Sequence, residues 1–184
     1  GNDSLTGGAA IDTFNVDEGT DTITDLGDGV DILVVSTGAT ANATTHNTGT
    51  WIATAATENN GGTVNITLTE GFSRVDLAQA EGTTGYSITA GNDGDTIIGS
   101  KFADTITGGD GNDTFDGRAG ADSLTGGDGT DEFVYSSVND GGALVEGSRA
   151  SGDVIVDFSN LDDDIRLSGD FLTGQMTGTN ADAV

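Results

Sequence analysis

Single large apolar residues recur at every ninth position through the middle of the chain. Residues 90–134 form five consecutive nine-residue blocks, and the eighth place of each block is large and apolar: Ile97, Ile106, Phe115, Leu124 and Phe133. Strand side chains alternate between faces, so a three-residue strand points only its middle side chain inward. A period of nine therefore predicts one very short strand and one turn in each block, and it excludes helical patterns.

The same register is present at the amino end of the chain. Residues 1–34 carry the eighth-place pattern at Leu5, Phe14, Ile23 and Leu33, with one residue inserted before the last block. The chain begins at the fourth place of a block, so we expect it to be a piece of a longer protein.

Residues 37–89 interrupt the period of nine and are rich in Thr, Ala, Gly and Asn. Alternating apolar positions nevertheless predict half-buried strands in this stretch. These positions are Val64, Ile66 and Leu68, then Val75 and Leu77, and then Tyr86 and Ile88. Two interpretations remain open: longer coils of one solenoid, or a small β excursion from it.

Glycine and aspartate occupy the predicted turns. Glycine predominates at places one, two and four of the last three blocks, and it reaches backbone angles closed to other residues. Such a turn can curl its carbonyls toward one point, and carbonyl and carboxylate oxygens are the ligands that Ca²⁺ prefers. The sixth place is aspartate in every block: Asp3, Asp12, Asp21 and Asp31 in the first array, and Asp95, Asp104, Asp113, Asp122 and Asp131 in the second.

Two blocks make one coil, so residues two blocks apart should stack on one another. Phe115 should lie on Ile97, and Asp113 should lie between Asp95 and Asp131. Like charges at such close range are costly unless a cation lies between them. The stacking therefore points again to bound metal.

These blocks resemble the RTX (hemolysin-type) calcium-binding nonapeptide repeat of proteins exported by type I secretion. The resemblance implies an all-β fold, a right-handed parallel β-roll (a β-solenoid) with calcium-binding Gly/Asp turns, here interrupted by a small β insert. It also implies that several calcium ions each bridge a turn and the turn two blocks later, through sixth-place Asp and backbone carbonyls. The best site is expected between residues 108–113 and 126–131, with Gly108, Asp110, Asp113, Gly126, Asp128 and Asp131 as metal-binding positions.

Some turns depart from the family pattern. Asp93 and Phe102 replace the fourth-place glycine, and Arg118 replaces the second-place glycine. We expect those turns to bind calcium more weakly or to have a different shape.

The segment after the second array is similar to the one that closes the β-roll of secreted serralysin-type metalloproteases. Asp153 and Asp157 match its first strand and join the expected metal-binding residues, while Arg166 stands where that family usually has Asp. The resulting division has four parts: a first array (1–36), a β-strand spacer (37–89), a second array (90–134) and a closing β segment (135–184).

Composition excludes several functions. The net charge is −26 with only five basic residues, and phosphate contacts need a basic face, so nucleic acid binding is excluded. The chain has no apolar run long enough for a membrane helix, no cysteine and no His-Glu-x-x-His zinc motif. His46 is the single histidine and has no nucleophile motif beside it, so we predict no catalytic or cofactor-binding residues and no enzyme activity.

These observations favour a calcium-binding structural module of a secreted bacterial cell-surface or extracellular-matrix protein, such as a surface layer, an adhesin or a fibre. It would fold outside the cell on binding Ca²⁺. The alternatives are a carboxyl-terminal secretion and folding domain of a hydrolase, and a polysaccharide-binding module. Expected partners are calcium, copies of the chain in a lattice or fibre, and surface polysaccharide. A salt-adapted surface or a metal-free solenoid explains the acidity less well, because neither needs aspartate at a period of nine.

Overall fold

The computed structural model describes residues 1–27, 30–45, 50–69, 71, 74–137, 139–141 and 152–168. Within these ranges the chain forms eighteen short strands and no helix. In chain order the strands are β1 (Ser4–Leu5), β2 (Thr13–Val16), β3 (Thr20–Leu26), β4 (Ile32–Val35), β5 (Thr40–Thr45), β6 (Thr50–Ile52), β7 (Glu58–Asn59), β8 (Thr63–Thr67), β9 (Arg74–Asp76), β10 (Glu81–Gly82), β11 (Ser87–Thr89), β12 (Thr96–Ile98), β13 (Thr105–Asp110), β14 (Thr114–Asp116), β15 (Ser123–Asp128), β16 (Glu132–Tyr135), β17 (Val154–Ile155) and β18 (Asp164–Leu167).

The strands form three sheets, and every pairing within them is parallel. The long face is eight strands in the order β1-β3-β5-β8-β11-β13-β15-β17. The first short face is β2-β4-β7-β10, and the second short face is β6-β9-β12-β14-β16-β18. This is a parallel β-solenoid of about six turns, which confirms the predicted fold class.

The number of sides changes along the solenoid. Up to β5 the chain alternates between the long face and the first short face, and from β11 onward it alternates between the long face and the second. From β5 to β11 every coil visits all three faces. The coils are longer there: Asn65 pairs with Asn42 and with Ser87, whereas Ser87 pairs with Thr105 only eighteen residues on.

The described residues between 37 and 89 therefore form longer coils of the same solenoid, the first of the two interpretations. The strands predicted around Val64, Val75 and Ile88 are present as β8, β9 and β11. Strands β5, β6, β7 and β10 were not predicted from the alternation. The four-part division of the chain stays a prediction about sequence units, since this middle stretch shares its sheets with both flanks.

The core is a set of columns of eighth-place side chains. Ile97 pairs with Phe115, Phe115 pairs with Phe133, and all three are fully buried. The rings of Phe115 and Phe133 stack with centroids 5.2 Å apart, which adds aromatic contact to the burial. In the long coils Trp51 is fully buried, and its indole nitrogen donates to the carbonyl oxygen of Asp31 at 3.0 Å.

The closing segment adds one more pair of strands. β17 pairs with β15 and β18 pairs with β16, while residues 142–151 and 169–184 lie outside the described residues. Arg166, which departs from the family pattern, pairs through Nε with Glu132 at 2.8 Å. Ile155 is half-buried against the core, and the other large apolar side chains of the described segment are exposed: Val154, Val156, Phe158, Leu161, Ile165 and Leu167.

Candidate metal centre

The sixth-place aspartates lie along the two edges of the roll, and all of them are buried except Asp3, which is exposed, and Asp12, which is half-buried. Strand alternation puts places six and eight on the same inward face, so the register that buries Phe115 also buries Asp113. Asp113, Asp122 and Asp131 are each at most 1% exposed. Asp95 and Asp104 are also buried.

Each sixth-place aspartate is hydrogen-bonded to its counterpart one coil away. The backbone N–H of the earlier residue donates to Oδ1 of the later one, so the carboxylates form a ladder that runs along each edge. The pairs of the second array are Asp95 to Asp113 at 2.7 Å, Asp104 to Asp122 at 2.8 Å and Asp113 to Asp131 at 2.9 Å. In the first array they are Asp3 to Asp21 at 2.9 Å and Asp12 to Asp31 at 3.0 Å.

The second oxygen, Oδ2, divides the turns into two kinds. In the turns 108–113, 117–122 and 126–131, which we call the open turns, Oδ2 of Asp113, Asp122 and Asp131 is buried and accepts no hydrogen bond. Oδ2 of Asp12 and Asp153 is in the same condition. A buried polar atom without a partner costs free energy, so these oxygens mark where a ligand would stabilise the fold.

In the other turns of the second array the chain itself satisfies Oδ2. Asp104 Oδ2 accepts from the backbone N–H of Ser100 at 2.6 Å, and Asp95 Oδ2 accepts from that of Gly91 at 3.2 Å. These two turns, 91–95 and 100–104, are called the closed turns. They are the turns in which Asp93 and Phe102 replace the fourth-place glycine, as the sequence indicated.

Backbone conformation distinguishes the open turns from the closed turns of the second array. Places two and four of the open turns lie at positive φ, for example Gly127 at 104° and Gly129 at 139°. In the closed turns neither place has positive φ. Non-glycine side chains at place four keep that residue out of this region. In the first array Gly27, at place two, has a φ of 114° and its N–H still donates to Asp31 Oδ2 at 2.8 Å, so positive φ at place two alone does not open a turn.

The open turns fit a calcium ion. A Cβ at Gly108 would lie 2.3 Å from Asp113 Oδ2 and 2.4 Å from the carbonyl oxygen of Gly126, so a carboxylate and a carbonyl of the next coil face one spot. Within the described residues no three acidic, His or Cys side chains converge on one point. The donors are thus single carboxylates with backbone carbonyls, an oxygen set that suits a hard cation such as Ca²⁺.

Burial has a strong electrostatic effect on the ladder. It raises the pKa of Asp113 to about 7 and that of Asp122 to about 7, and the neighbouring aspartates add to the shift. Burial likewise raises the pKa of Asp104 to about 6 and that of Asp131 above its usual value. A dication bound beside these carboxylates would keep them ionised and remove the cost of their charge.

The remaining predicted residues lie in several places. Asp110 and Asp128 are exposed and face one another in the β13–β15 pairing. Asp153 Oδ1 accepts from the N–H of Asp122 at 2.9 Å and so extends the ladder. Asp157 is exposed, and its two oxygens accept from the N–H groups of Gly126 and Gly127, both at 2.9 Å. Metal ligation by these residues stays a prediction.

Two aspartates of the edges were missing from the predicted set. Asp163 Oδ1 accepts from the N–H of Asp131 at 3.1 Å and continues the ladder. Its signal is the same spacing of Asp and large apolar residue, Asp163 and Ile165, that marks places six and eight. Asp25 is the inserted residue of the first array, and its carboxylate accepts from the backbone N–H groups of Gly7 and Gly8. Asp157 accepts in the same way from those of Gly126 and Gly127.

A parallel β-solenoid with ladders of buried aspartates at Gly-rich turns defines a class of repeat protein that binds calcium. The family model of the RTX calcium-binding nonapeptide repeat matches residues 1–24, 89–124 and 108–141, in four copies. The chain therefore contains RTX calcium-binding nonapeptide repeats over these residues, which is the family that its blocks resemble. No curated protein and no solved structure shows significant similarity to the chain.

None of the described residues belongs to a helix that is long and apolar enough to cross a membrane.

Proposed function

We propose that this chain is a structural module of a secreted bacterial surface or extracellular protein and that calcium makes it fold. The observation that carries the proposal is the buried, unpartnered Oδ2 of Asp113, Asp122 and Asp131. The RTX repeat is a calcium-binding repeat and is not catalytic by itself. The exported, surface-bound context is the part that we infer.

The ladder supports a folding switch. Stacking of the coils aligns carboxylates that repel one another, so the fold that buries the apolar columns also concentrates negative charge. A ligand that binds only the folded chain stabilises it by mass action, about 2.7 kcal/mol per site at a hundredfold excess over its dissociation constant. Asp113, Asp122, Asp131 and the carbonyls of the following turns would hold the ions, whose contribution is to neutralise and cross-link successive coils.

Export follows from the same switch. Cytosolic calcium is low, so the chain would stay unfolded and pass through a type I exporter. Outside, calcium reaches the ~10⁻⁴–10⁻³ M range at which extracellular sites fill, and the solenoid would form there. A finished solenoid with a net charge of −26 suits an extended, well-solvated part of a surface layer, adhesin or fibre.

Circular dichroism in the far ultraviolet tests the switch. The purified chain should give the spectrum of an unfolded chain in chelator and a β spectrum in millimolar Ca²⁺. Magnesium at the same concentration should substitute poorly, because it demands near-octahedral geometry and gives up water reluctantly. Equal β content in chelator and in calcium would contradict the proposal.

The surface role needs its own experiment. Antibodies raised against the folded chain should label intact producing cells or their extracellular matrix, and a calcium chelator should reduce the labelling. Label confined to the inside of permeabilised cells would contradict the surface role but leave the folding switch untouched.

A further inference from the structure

Two aspartates of the chain could take the ladder position beyond Asp122. Counted in blocks of nine from Asp131, the next sixth place falls on Asp140, which is eighteen residues after Asp122. The structure places Asp153 there instead, and its Oδ1 accepts from the backbone N–H of Asp122 at 2.9 Å. Val154, the next residue, donates through its N–H to the carbonyl oxygen of Asp122 at 2.8 Å. This position of the ladder is therefore filled from outside the repeat register.

Asp140 is occupied within its own turn. Its Oδ2 accepts from the backbone N–H groups of Ser136 and Ser137, at 2.7 Å and 2.8 Å. Ser136 stands at place two of its block, and the same arrangement joins Ser100 to Asp104 in the closed turn 100–104. Asp140 therefore behaves as the aspartate of a closed turn and leaves the ladder to Asp153.

Asp122 and Asp153 bring two unsatisfied oxygens to one place. Oδ2 of each carboxylate is buried and accepts no hydrogen bond, and Asp122 as a whole is only 1% exposed. The two carboxylates approach one another directly, and the charge of Asp153 adds to the rise that burial causes in the pKa of Asp122. Two buried like charges in contact destabilise the fold unless a cation lies beside them.

The surroundings of Asp153 are polar and hold it in place. The hydroxyl of Tyr135 hydrogen-bonds to its carboxylate. A Cβ at Gly141 would lie 3.6 Å from Asp153 Oδ2, so the backbone passes close beside the unsatisfied oxygen. Gly141 is itself fixed to the open turn 117–122, because its N–H donates to the carbonyl oxygen of Arg118 at 3.0 Å. Among the described residues no basic side chain forms an ion pair with either carboxylate.

Strand β17, which follows Asp153, has little apolar contact to hold it on the roll. Val154 is exposed and Ile155 is only half-buried. The strand begins directly after Asp153, so repulsion between Asp153 and Asp122 acts at its first backbone hydrogen bond to β15. The charge balance of this pair therefore has a large influence on whether β17 stays attached.

We propose that Asp122 and Asp153 form a calcium site outside the repeat register and that its ion attaches the closing segment to the roll. The inference rests on the proposed function, which supplies calcium as the cation, and adds a ligand from beyond the repeats. The ion contacts one carboxylate of the second array and one of the closing segment, and it neutralises their repulsion. Tyr135 is a positioning residue, because a hydrogen bond to a ligating carboxylate orients it.

The number of bound calcium ions tests the assignment, and equilibrium dialysis of the calcium-folded chain measures it. Asp153→Asn removes the charge of the proposed ligand and keeps an acceptor for the N–H of Asp122. Asp140→Asn is the matched control. It makes the same change at the aspartate that the repeat register would use, and it keeps an acceptor for the N–H of Ser136. Circular dichroism in calcium establishes beforehand that each variant has the β spectrum of the unsubstituted chain.

We expect Asp153→Asn to bind one calcium ion fewer than the unsubstituted chain and Asp140→Asn to bind the same number. In Asp153→Asn the amides of Val154 and Val156, which donate to β15, should also exchange faster, while those of β13 and β14 stay protected. Loss of an ion in Asp140→Asn would overturn the inference, and so would equal numbers of ions in all three chains.

Tyr135→Phe provides a second test that keeps both carboxylates, and it decides the matter if Asp153→Asn does not fold. It should weaken the binding of one ion and speed the exchange of the Val154 amide. Unchanged calcium binding together with unchanged exchange would reject the site. A failure of the proposed function is distinguishable from these results, because the unsubstituted chain would then show no β spectrum that depends on calcium.

Discussion

The backbone N–H of Asp113 donates to Oδ1 of Asp131 at 2.9 Å, while Oδ2 of the same Asp131 carboxylate is buried and has no partner. One oxygen thus fixes the register between two coils, and the other brings a charge into the edge of the roll. A single residue type therefore aligns the coils and, in the proposed function, makes their alignment depend on a cation.

Replacing individual ladder residues should rank the sites. Asp113→Asn keeps an acceptor for the N–H of Asp95 but removes the charge of an open turn, so it should raise the calcium concentration at half-folding by roughly tenfold. Asp95→Asn alters a closed turn, where Gly91 already donates to Oδ2, and should have a smaller effect. Calcium titrations followed by circular dichroism measure both. A larger shift for Asp95→Asn would show that the open turns are not the principal sites.

The calcium-free chain should become less stable as pH rises. The pKa values of Asp113 and Asp122 are raised from 3.8 to about 7, so between about pH 4 and pH 7 the folded chain holds more protons than the unfolded chain. Their favourable contribution is complete below the unfolded pKa and is lost as pH rises through the folded pKa. Circular dichroism in the far ultraviolet should thus show more β structure in calcium-free buffer at about pH 5 than at about pH 8.

Calcium should remove that dependence, because calcium and protons compete for the same oxygens. In saturating Ca²⁺ the folded carboxylates bind no protons, so the urea midpoint should be the same at about pH 5 and at about pH 8. A fall of the midpoint over this range in saturating Ca²⁺ would mean that the buried carboxylates are not the calcium ligands.

First-place glycine should be essential in an open turn. A Cβ at Gly126 would lie 2.3 Å from Asp131 Oδ2, so Gly126→Ala must displace the carboxylate and should cost ~1–3 kcal/mol of stability in calcium. At Gly91 a Cβ would find its nearest atom at 3.7 Å, and Gly91→Ala is the control. Urea unfolding in calcium separates them. Equal stability of the two variants would argue against the close approach at Gly126.

Arg118 is the one non-glycine residue at positive φ among the described residues, at 66°. Arg118 occupies place two of the open turn 117–122, where the other open turns have glycine. Its backbone is therefore strained, because a side chain is unfavourable at positive φ. Arg118→Gly should relieve that strain and stabilise the folded chain by roughly 1 kcal/mol. Arg118→Ala removes the charge and keeps the strain, and its unfolding midpoint should not rise. A gain in both variants would attribute the effect to charge.

The two-sided part of the fold was predictable because one rule places nearly every side chain. The period of nine puts Phe115 on Ile97 and Asp113 between Asp95 and Asp131, and the structure has these pairings. The first short face of the long coils was not predictable in this way. Its strand β7 is Glu58–Asn59, and these polar residues resemble a loop.

Asn59 shows why the sequence pattern does not predict strand β7. It is fully buried, yet its amide is satisfied by Gly62 N–H at 3.0 Å and by the carbonyl of Gly85 at 2.7 Å. Burial of a polar residue that supplies its own hydrogen bonds leaves no apolar signal. The division into open and closed turns was partly visible, since Asp93 and Phe102 mark the closed ones, but Arg118 gives no hint that its turn stays open.

Amide hydrogen exchange in the second array tests the central claim most directly, because it reports on the coils that contain the ladder. In millimolar Ca²⁺ the amides of β13 to β16 should be protected, since each lies in a parallel pairing between neighbouring coils. In chelator at neutral pH they should exchange at the rate of an unfolded chain, and protection should return with the calcium titration. Protection of these strands that is the same in chelator and in calcium would contradict the claim that the aspartate ladder makes the fold depend on calcium.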